Sequence, residues 1–235
     1  SNPSGVIYSN EWMEKFGEIV ESHPNVTIIS DEIYRDLTYY DPAPKYFYQD
    51  RQNLLDQTII VGGISKSMAA TGLRIGWAIA PKSFIGTLSK LQGQLTSGAN
   101  SLTQSALEHY DFSNAQEYLN PIKVHLRENS KVLRDKLKEA DLAHKWYQVR
   151  GAFYYILDFN KLPIHERFIK SVDDPNDYGH EICTYLLKSY GVACVPGTDF
   201  GLKNCARISL VSPNQEFESA VDLIIKACLD KEKTC

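Results

Sequence analysis

Two short stretches of the sequence carry side chains that together could bind a cofactor. Asp31 and Tyr34 follow one apolar run, and Lys66 follows another. Arg74 comes eight residues after Lys66, and arginine binds phosphate or carboxylate through two parallel hydrogen bonds. Small residues around Lys66 leave room for a ligand close to the backbone: Gly62, Gly63, Ser65, Ser67, Ala69 and Ala70. An amine, a carboxylate, a phenol and a guanidinium form a cofactor-binding set of groups.

Three apolar runs predict the strands that would position these side chains: 26–29, 58–61 and 75–80. Each run is continuous rather than alternating, which is typical of a strand buried on both faces of a parallel sheet. In an open α/β sheet, ligands bind beyond the carboxyl ends of the strands. We therefore expect a doubly wound α/β layer with Asp31, Tyr34 and Lys66 at one edge of its sheet.

The remaining patterns predict mainly helices and a second, smaller sheet. The predicted elements are a first helix capped by Ser9 or Asn10 and ending near His23, a long amphipathic helix over 122–140, strands over 152–157 and 206–210, a helix over 178–190, a capping box over 212–215 with Pro213 at the first helical position, and a last helix ending near Leu229. Asp, Ser, Asn and Pro cluster over 112–121. We therefore predict one domain over 1–115 and a small α+β domain over 116–235.

The charge balance and the cysteines argue against several classes of protein. Lys and Arg number 25 against 29 Asp and Glu, so the net charge of −4 does not suit a nucleic-acid-binding protein. No apolar run approaches the roughly 18 residues that suggest a membrane span. The 5 cysteines are odd in number and never spaced CxxC, which disfavours a disulfide framework and a zinc site. We expect a cytoplasmic protein that binds neither nucleic acid nor a membrane.

Three further kinds of site are disfavoured by residue spacing. The residue before Lys66 is Ser65, whereas a phosphate-binding P-loop has glycine there. The 6 histidines form no HxxxH or HExxH pair, which argues against a metal centre. No Gly-x-Ser-x-Gly sequence occurs, which argues against a serine hydrolase of the α/β type.

Five motifs, in the same order, make the sequence resemble the class I/II pyridoxal-phosphate aminotransferases of the aspartate aminotransferase fold. They occupy 2–5, 30–34, 65–67 with 71–76, 196–201 and 207–209. Together they extend over nearly the whole chain, whereas any one of them alone would be a weak signal. The resemblance implies the C-terminal part of a large three-layer α/β/α domain with a mostly parallel sheet, followed by a small α+β domain.

The resemblance also implies a role for each candidate residue in binding pyridoxal phosphate. Lys66 resembles the lysine that forms a Schiff base with the cofactor aldehyde and later moves a proton on the substrate carbon. Asp31 resembles the carboxylate that keeps the pyridine nitrogen protonated, so that the ring can accept electrons. Tyr34 and Asn2 resemble the pair that hydrogen-bonds the phenolic oxygen of the ring.

The remaining roles concern the phosphate and the substrate. Ser65 belongs to the implied cofactor contacts, and Arg74 resembles the residue that holds the phosphate. Arg207 resembles the bidentate receptor for the substrate α-carboxylate, and Asn2 is implied to contact the substrate as well. The implied activity is amino transfer between an L-amino acid and a 2-oxo acid in a homodimer. Two alternatives remain open: a lyase or synthase of the same fold, and a non-catalytic domain that retains the fold.

The extent of the resemblance leads to further expectations. The segment before the motif at 2–5 in a complete family member has no counterpart here, so we expect a piece of a larger enzyme. Such a piece should expose an apolar sheet face and bind the cofactor weakly. The segment 94–100 resembles a turn at the dimer interface that carries an arginine in some dicarboxylate-specific relatives, and it has no basic residue. This weakens aspartate as the expected substrate.

Overall fold

The computed structural model describes residues 1–40, 42–43, 45–170, 174 and 176–230. The helices and strands, in chain order, are α1 (Asn10–Glu21), β1 (Ile28–Asp31), β2 (Thr58–Gly63), β3 (Gly76–Ile79), α2 (Lys82–Leu95), α3 (Ser101–Glu108), α4 (Ala115–Glu139), β4 (Tyr154–Asp158), α5 (Pro163–Phe168), α6 (Gly179–Tyr190), β5 (Val195–Pro196), β6 (Cys205–Ser209) and α7 (Asn214–Leu229). They form two compact units, Ile7–Ile122 and Ser1–Val6 with Lys123–Cys235.

The sheet of the unit Ile7–Ile122 has the strand order β1-β2-β3 and is mixed. β1 and β2 are parallel, with Asp31 opposite Val61. β3 runs antiparallel to β2, with Gly63 opposite Gly76. The expected doubly wound parallel arrangement is therefore wrong for β3. The connection over 64–75 contains a single 3₁₀ turn, whereas a parallel crossover normally needs a helix of its own.

The apolar runs of this sheet are only partly buried. Ile60 of β2 lies in a core cluster with Val20, Phe47 and Leu54. By contrast, the side chains of Ile29, Ile79 and Trp77 are 69%, 59% and 44% exposed. The expectation that all three strands are buried on both faces is wrong for the described residues. The exposed apolar side chains lie on both faces of the sheet, because Ile29 is opposite Ile59, whereas Ile79 is opposite the buried Ile60. Large exposed apolar side chains on a sheet mark a surface suited to further packing.

Local signals explain where α1 lies. Ser9 caps the helix, because its Oγ accepts a hydrogen bond of 3.1 Å from the backbone N–H of Trp12. Along the helix, three glutamates form ion pairs with Arg51: Glu14, Glu18 and Glu21. This helix was predicted from sequence and is confirmed.

The unit that contains Lys123–Cys235 has an antiparallel sheet in the order β4-β6-β5. Its core is formed by fully buried side chains from several elements: Leu126, Leu133, Leu137, Tyr155, Leu157, Ile164, Ile182, Leu186, Val221 and Ile224. The strands and helices predicted in this part of the sequence are confirmed to within two residues of their predicted ends, except that α4 begins at Ala115, seven residues before the predicted start at 122. Among the described residues, no helix is long and apolar enough to cross a membrane.

The predicted capping box before α7 is wrong. Pro213 precedes the helix as its capping residue, with extended backbone angles of φ −51° and ψ 143°, and the first helical residue is Asn214. No side chain of the described residues caps this helix end. The first turn of α7 therefore begins one residue later than the box requires.

Candidate active site

The topology of the first sheet brings three predicted site residues to one edge. β1 and β2 are parallel neighbours, so their carboxyl ends lie at the same edge. Asp31 is the last residue of β1, and Lys66 follows the end of β2 by three residues. Because β3 is antiparallel, it begins at the edge where β2 ends, and Arg74 lies two residues before it. The antiparallel strand thus places Arg74 near Lys66.

Lys66 lies in the loop after β2, and its amine is without a partner among the described residues. It is half-buried, and within the described residues no hydrogen-bond acceptor or carboxylate pairs with its Nζ. Ser65 precedes it in the same loop and is also half-buried. The chain before them is tightly packed, because a Cβ on Gly62 would lie 2.7 Å from Nε1 of Trp77. A half-buried lysine without a partner is poorly explained by a structural role.

The loop after Lys66 is held in an unusual backbone conformation. Ala69 and Arg74 have φ values of 50° and 51°, in the left-handed region that non-glycine residues rarely adopt. Tertiary hydrogen bonds hold the loop, including one of 3.3 Å from the hydroxyl of Tyr118 to the carbonyl of Met68. Strained backbone of this kind clusters at ligand-binding sites. The loop that carries Lys66 is therefore held by at least one tertiary hydrogen bond and has two residues in the left-handed region.

Arg74 presents an exposed guanidinium at this loop. One nitrogen, Nη1, donates a 3.0 Å hydrogen bond to the carbonyl of Thr71. In the part of the chain that the structure describes, no carboxylate pairs with Arg74. Since a guanidinium has five N–H donors, most of them remain available for an anion such as a phosphate.

Asp31 and Tyr34 lie in the turn that follows β1. Asp31 Oδ1 accepts a 3.3 Å hydrogen bond from the backbone N–H of Ile33, which shapes the turn. No second partner of the Asp31 carboxylate is found among the described residues, and the side chain is exposed. Tyr34 is half-buried, and its carbonyl accepts from the N–H of Leu37 at 3.0 Å. One oxygen of Asp31 is thus available to a ligand.

Glu32 is a supporting residue that the sequence reasoning missed. It is 7% exposed, and its carboxylate accepts from the hydroxyl of Tyr48 at 2.6 Å and from Oγ of Ser30 at 3.0 Å. Burial and this bond raise the pKa of Tyr48 well above its usual range. Successive side chains of a strand point to opposite faces of the sheet. If Asp31 faces a ligand, its neighbour Glu32 is expected on the other face, and this alternation could have identified it. Glu32 anchors the turn that carries Asp31 and Tyr34.

We expect Glu32→Ala to lower the free energy of unfolding by about 2 kcal/mol, because it leaves the buried hydroxyl of Tyr48 without its acceptor. Urea titration followed by circular dichroism measures this. Glu108→Ala, which removes an exposed carboxylate, should change stability by less than about 0.5 kcal/mol. Adding Tyr48→Phe to Glu32→Ala should recover part of the loss. Equal losses for Glu32→Ala and Glu108→Ala would contradict the anchoring role.

Arg207 and Asn2 contact each other in the unit formed by Ser1–Val6 and Lys123–Cys235. Arg207 lies on β6, and its Nη1 donates to Oδ1 of Asn2 at 2.9 Å. The rings of Tyr154 and Phe200 lie near its guanidinium, with centroids 4.4 and 4.8 Å from Cζ. No carboxylate of the described residues forms an ion pair with it. A half-buried guanidinium on aromatic rings, without a counter-anion, is suited to bind a carboxylate.

Metal ions and organic cofactors require different sets of ligand groups from a protein. No group of three or more His, Cys, Asp or Glu side chains there could hold a metal ion. The groups available for a ligand are instead the amine of Lys66, one oxygen of Asp31 and the guanidinium groups of Arg74 and Arg207.

Comparison with known proteins decides the family. The family described as aminotransferase class I and II matches residues 1–224. The chain belongs to this family. Its members depend on pyridoxal phosphate.

Individual aminotransferases show the same relationship. A bifunctional aspartate aminotransferase and glutamate/aspartate-prephenate aminotransferase of Petunia hybrida is 34% identical over 97% of this chain and 47% of its own length. A probable aspartate/prephenate aminotransferase of Rickettsia felis is 31% identical over 97% of this chain and 54% of its own length. The crystal structure of the aspartate aminotransferase from Rhizobium meliloti superposes with a TM-score of 0.81 at 28% identity, over 97% of this chain and 56% of that one. The chain spans about half the length of the curated relatives it matches.

The groups at the sheet edge fit pyridoxal phosphate. The cofactor has an aldehyde, a pyridine nitrogen and a phosphate, and these require an amine, a carboxylate and a cation. Lys66, Asp31 and Arg74 provide these groups at one edge of the sheet, and the first two have atoms without a partner among the described residues.

Proposed function

We propose that the protein is a pyridoxal-phosphate-dependent aminotransferase that moves an amino group between an L-amino acid and a 2-oxo acid. The observation that carries the proposal is the half-buried amine of Lys66 after β2, which has no partner among the described residues and lies at the sheet edge where Asp31 ends β1. Family membership adds an independent reason, because the match extends over residues 1–224.

The residues at the sheet edge hold the cofactor in this proposal. Lys66 would hold it through Nζ, Asp31 would keep a proton on the ring nitrogen, and Arg74 would pair with the phosphate. Ser65, Tyr34 and Asn2 complete the contacts by hydrogen bonding. When bound, pyridoxal phosphate supplies an aldehyde for amino groups and a ring that accepts electrons from the substrate.

Three residues would contact the substrate directly. The Nζ of Lys66 would take the proton from the substrate Cα as a general base and would later donate it as a general acid. Arg207 binds the α-carboxylate through its guanidinium, and Asn2 contacts the substrate beside it. The aromatic contacts of Arg207 with Tyr154 and Phe200 keep its charge weakly hydrated, which favours exchange of water for a carboxylate.

We further propose a homodimer in the cytoplasm. Cys183, Cys194, Cys205 and Cys228 are free thiols, which supports a reducing compartment. Burial raises the pKa of Cys194 to about 11, so this thiol is a poor nucleophile at neutral pH. Cys235 lies outside the described residues.

The names of the relatives indicate which substrates to test. Aspartate, glutamate and prephenate occur in those names, although the segment 96–100 between α2 and α3 contains no basic residue. The chain is incubated with pyridoxal phosphate, each amino acid and 2-oxoglutarate, pyruvate or prephenate, and the new amino acid is measured by chromatography. We expect one new amino acid to be formed for each molecule of the 2-oxo acid that is consumed. Release of ammonia and a 2-oxo acid in the absence of an added 2-oxo acid would support the lyase alternative. The absence of any turnover would support the non-catalytic alternative.

A further inference from the structure

The N-terminal segment Ser1–Val6 packs with residues from the far end of the sequence, in the unit that contains Lys123–Cys235. The carbonyl of Gly5 accepts two hydrogen bonds of 3.0 Å, from the backbone N–H groups of Arg150 and Gly151. The hydroxyl of Tyr147 donates to the carbonyl of Ser4 at 2.8 Å. Backbone groups of the segment are therefore held at two successive residues.

Gly5 is required for this close approach. Its φ is 65°, in the left-handed region, and a Cβ at this position would lie 2.4 Å from the carbonyl oxygen of Tyr154 and 2.6 Å from Cγ1 of Val149. Any other residue would strain the backbone and push the segment away from β4. The absence of a side chain at Gly5 therefore allows the segment to lie against β4, where the hydrogen bonds hold it.

Tyr147 connects the segment to the sheet. Its hydroxyl also accepts a 2.8 Å hydrogen bond from the backbone N–H of Ile156 on β4, and its ring stacks on Tyr155 with centroids 4.6 Å apart. The hydroxyl accepts a hydrogen bond from β4 and donates one to Ser4, and these two bonds together fix where it lies. Ile156 lies opposite Arg207 in the strand register, so Tyr147 and Arg207 are attached to the same region of the sheet.

We propose that Tyr147 and Gly5 are positioning residues that dock Ser1–Val6 and thereby hold the amide of Asn2 against Arg207, presetting its guanidinium for a carboxylate. Asn2 is exposed, and on a free segment its bond to Arg207 would cost the entropy of ordering several residues. Because the segment is docked, its residues are already ordered before the ligand binds. The inference rests on the proposed function, in which Arg207 receives the carboxylate.

Tyr147→Phe tests the inference, because it keeps the ring and removes the hydroxyl. We expect faster hydrogen exchange at the amides of Arg150 and Gly151, measured by NMR or mass spectrometry. We also expect 2-oxoglutarate to bind about fivefold more weakly, as for the loss of one net hydrogen bond. Binding is followed through the Nε–H resonance of Arg207. Gly5→Ala should shift exchange and affinity in the same direction.

A double-mutant cycle separates positioning from general destabilisation. In the Asn2→Ala background, Tyr147→Phe should still speed exchange at Arg150 and Gly151 but should not weaken binding further. The matched control is Tyr155→Phe, which removes a hydroxyl that donates to the carbonyl of Lys145 and, among the described residues, forms no hydrogen bond with Ser1–Val6. It should leave the exchange and the affinity unchanged.

The outcomes distinguish this inference from the proposed function. If the unmodified protein binds 2-oxoglutarate at Arg207 and Tyr147→Phe binds it equally well, the positioning role is wrong and the function stands. If the Tyr147→Phe effect persists in full without Asn2, the inference is also wrong. If the unmodified protein shows no perturbation of Arg207, the carboxylate role in the proposed function fails, and the inference fails with it.

Discussion

Lys66→Arg is expected to abolish covalent attachment of pyridoxal phosphate at residue 66. The guanidinium of arginine stays protonated and cannot attack the aldehyde, whereas the amine of Lys66 has no competing partner among the described residues. After incubation with the cofactor and reduction with borohydride, mass spectrometry of the peptide containing residue 66 should show the added mass only for the unmodified protein. Amino transfer should fall by at least about 10²-fold, the contribution of a positioned acid–base group.

The matched control for this experiment is Lys90→Arg. Lys90 is an exposed lysine on α2, so its replacement should leave both the labelling at Lys66 and the transfer rate unchanged. Borohydride traps even a weakly bound cofactor, so the labelling does not depend on tight binding. Equal labelling of Lys66 and Lys90 in the unmodified protein would show that Lys66 is an ordinary surface amine and would remove the main support for the function.

Arg207→Lys is expected to weaken binding of 2-oxoglutarate by about 10- to 100-fold. Lysine keeps the positive charge but cannot donate two parallel hydrogen bonds to a carboxylate, and hydrogen bonds to charged groups are worth about 1.5–3 kcal/mol. It also loses the planar contact with the rings of Tyr154 and Phe200. Isothermal titration calorimetry measures the affinity, and circular dichroism reports whether the fold is retained.

Arg127→Lys is the control for Arg207→Lys. Arg127 is an exposed arginine of α4 in the same compact unit, and its replacement makes the same chemical change on a different element. It should leave the affinity within twofold of the unmodified protein, by our estimate for a surface substitution. If both variants lose affinity equally, 2-oxoglutarate responds to the overall charge of the protein, and Arg207 is not its receptor.

The mixed sheet has a functional consequence. In an all-parallel sheet, a third strand would begin at the opposite edge from the one where β2 ends. With β3 antiparallel, the chain turns back at once, and Arg74 remains at the edge that carries Asp31 and Lys66. The left-handed conformations of Ala69 and Arg74 are part of this turn. The same short loop therefore carries both the amine and a cation for the phosphate.

Local sequence patterns were enough to predict most of the helices and strands and the sheet edge at which Asp31 and Lys66 lie. Ser9 signalled the start of α1, and the apolar runs signalled β1 and β2. Asp31 and Lys66 could be placed at one edge because polar residues that end neighbouring parallel strands meet there. The direction of β3 and the start of α7 were predicted wrongly, because both depend on how the chain turns at a few residues.

By itself, the sequence determined which chemistry is present: an amine, carboxylate, phenol and guanidinium set in family order, with the ends of β1 and β2 adjacent. Only the tertiary structure decided which groups are left without partners and which distant residues meet. Lys66 and Arg207 lack a counter-anion among the described residues, Glu32 is buried against Tyr48, and Asn2 reaches Arg207 across 205 positions of sequence. Local propensities act over a few residues, whereas such contacts depend on how the whole unit packs its core.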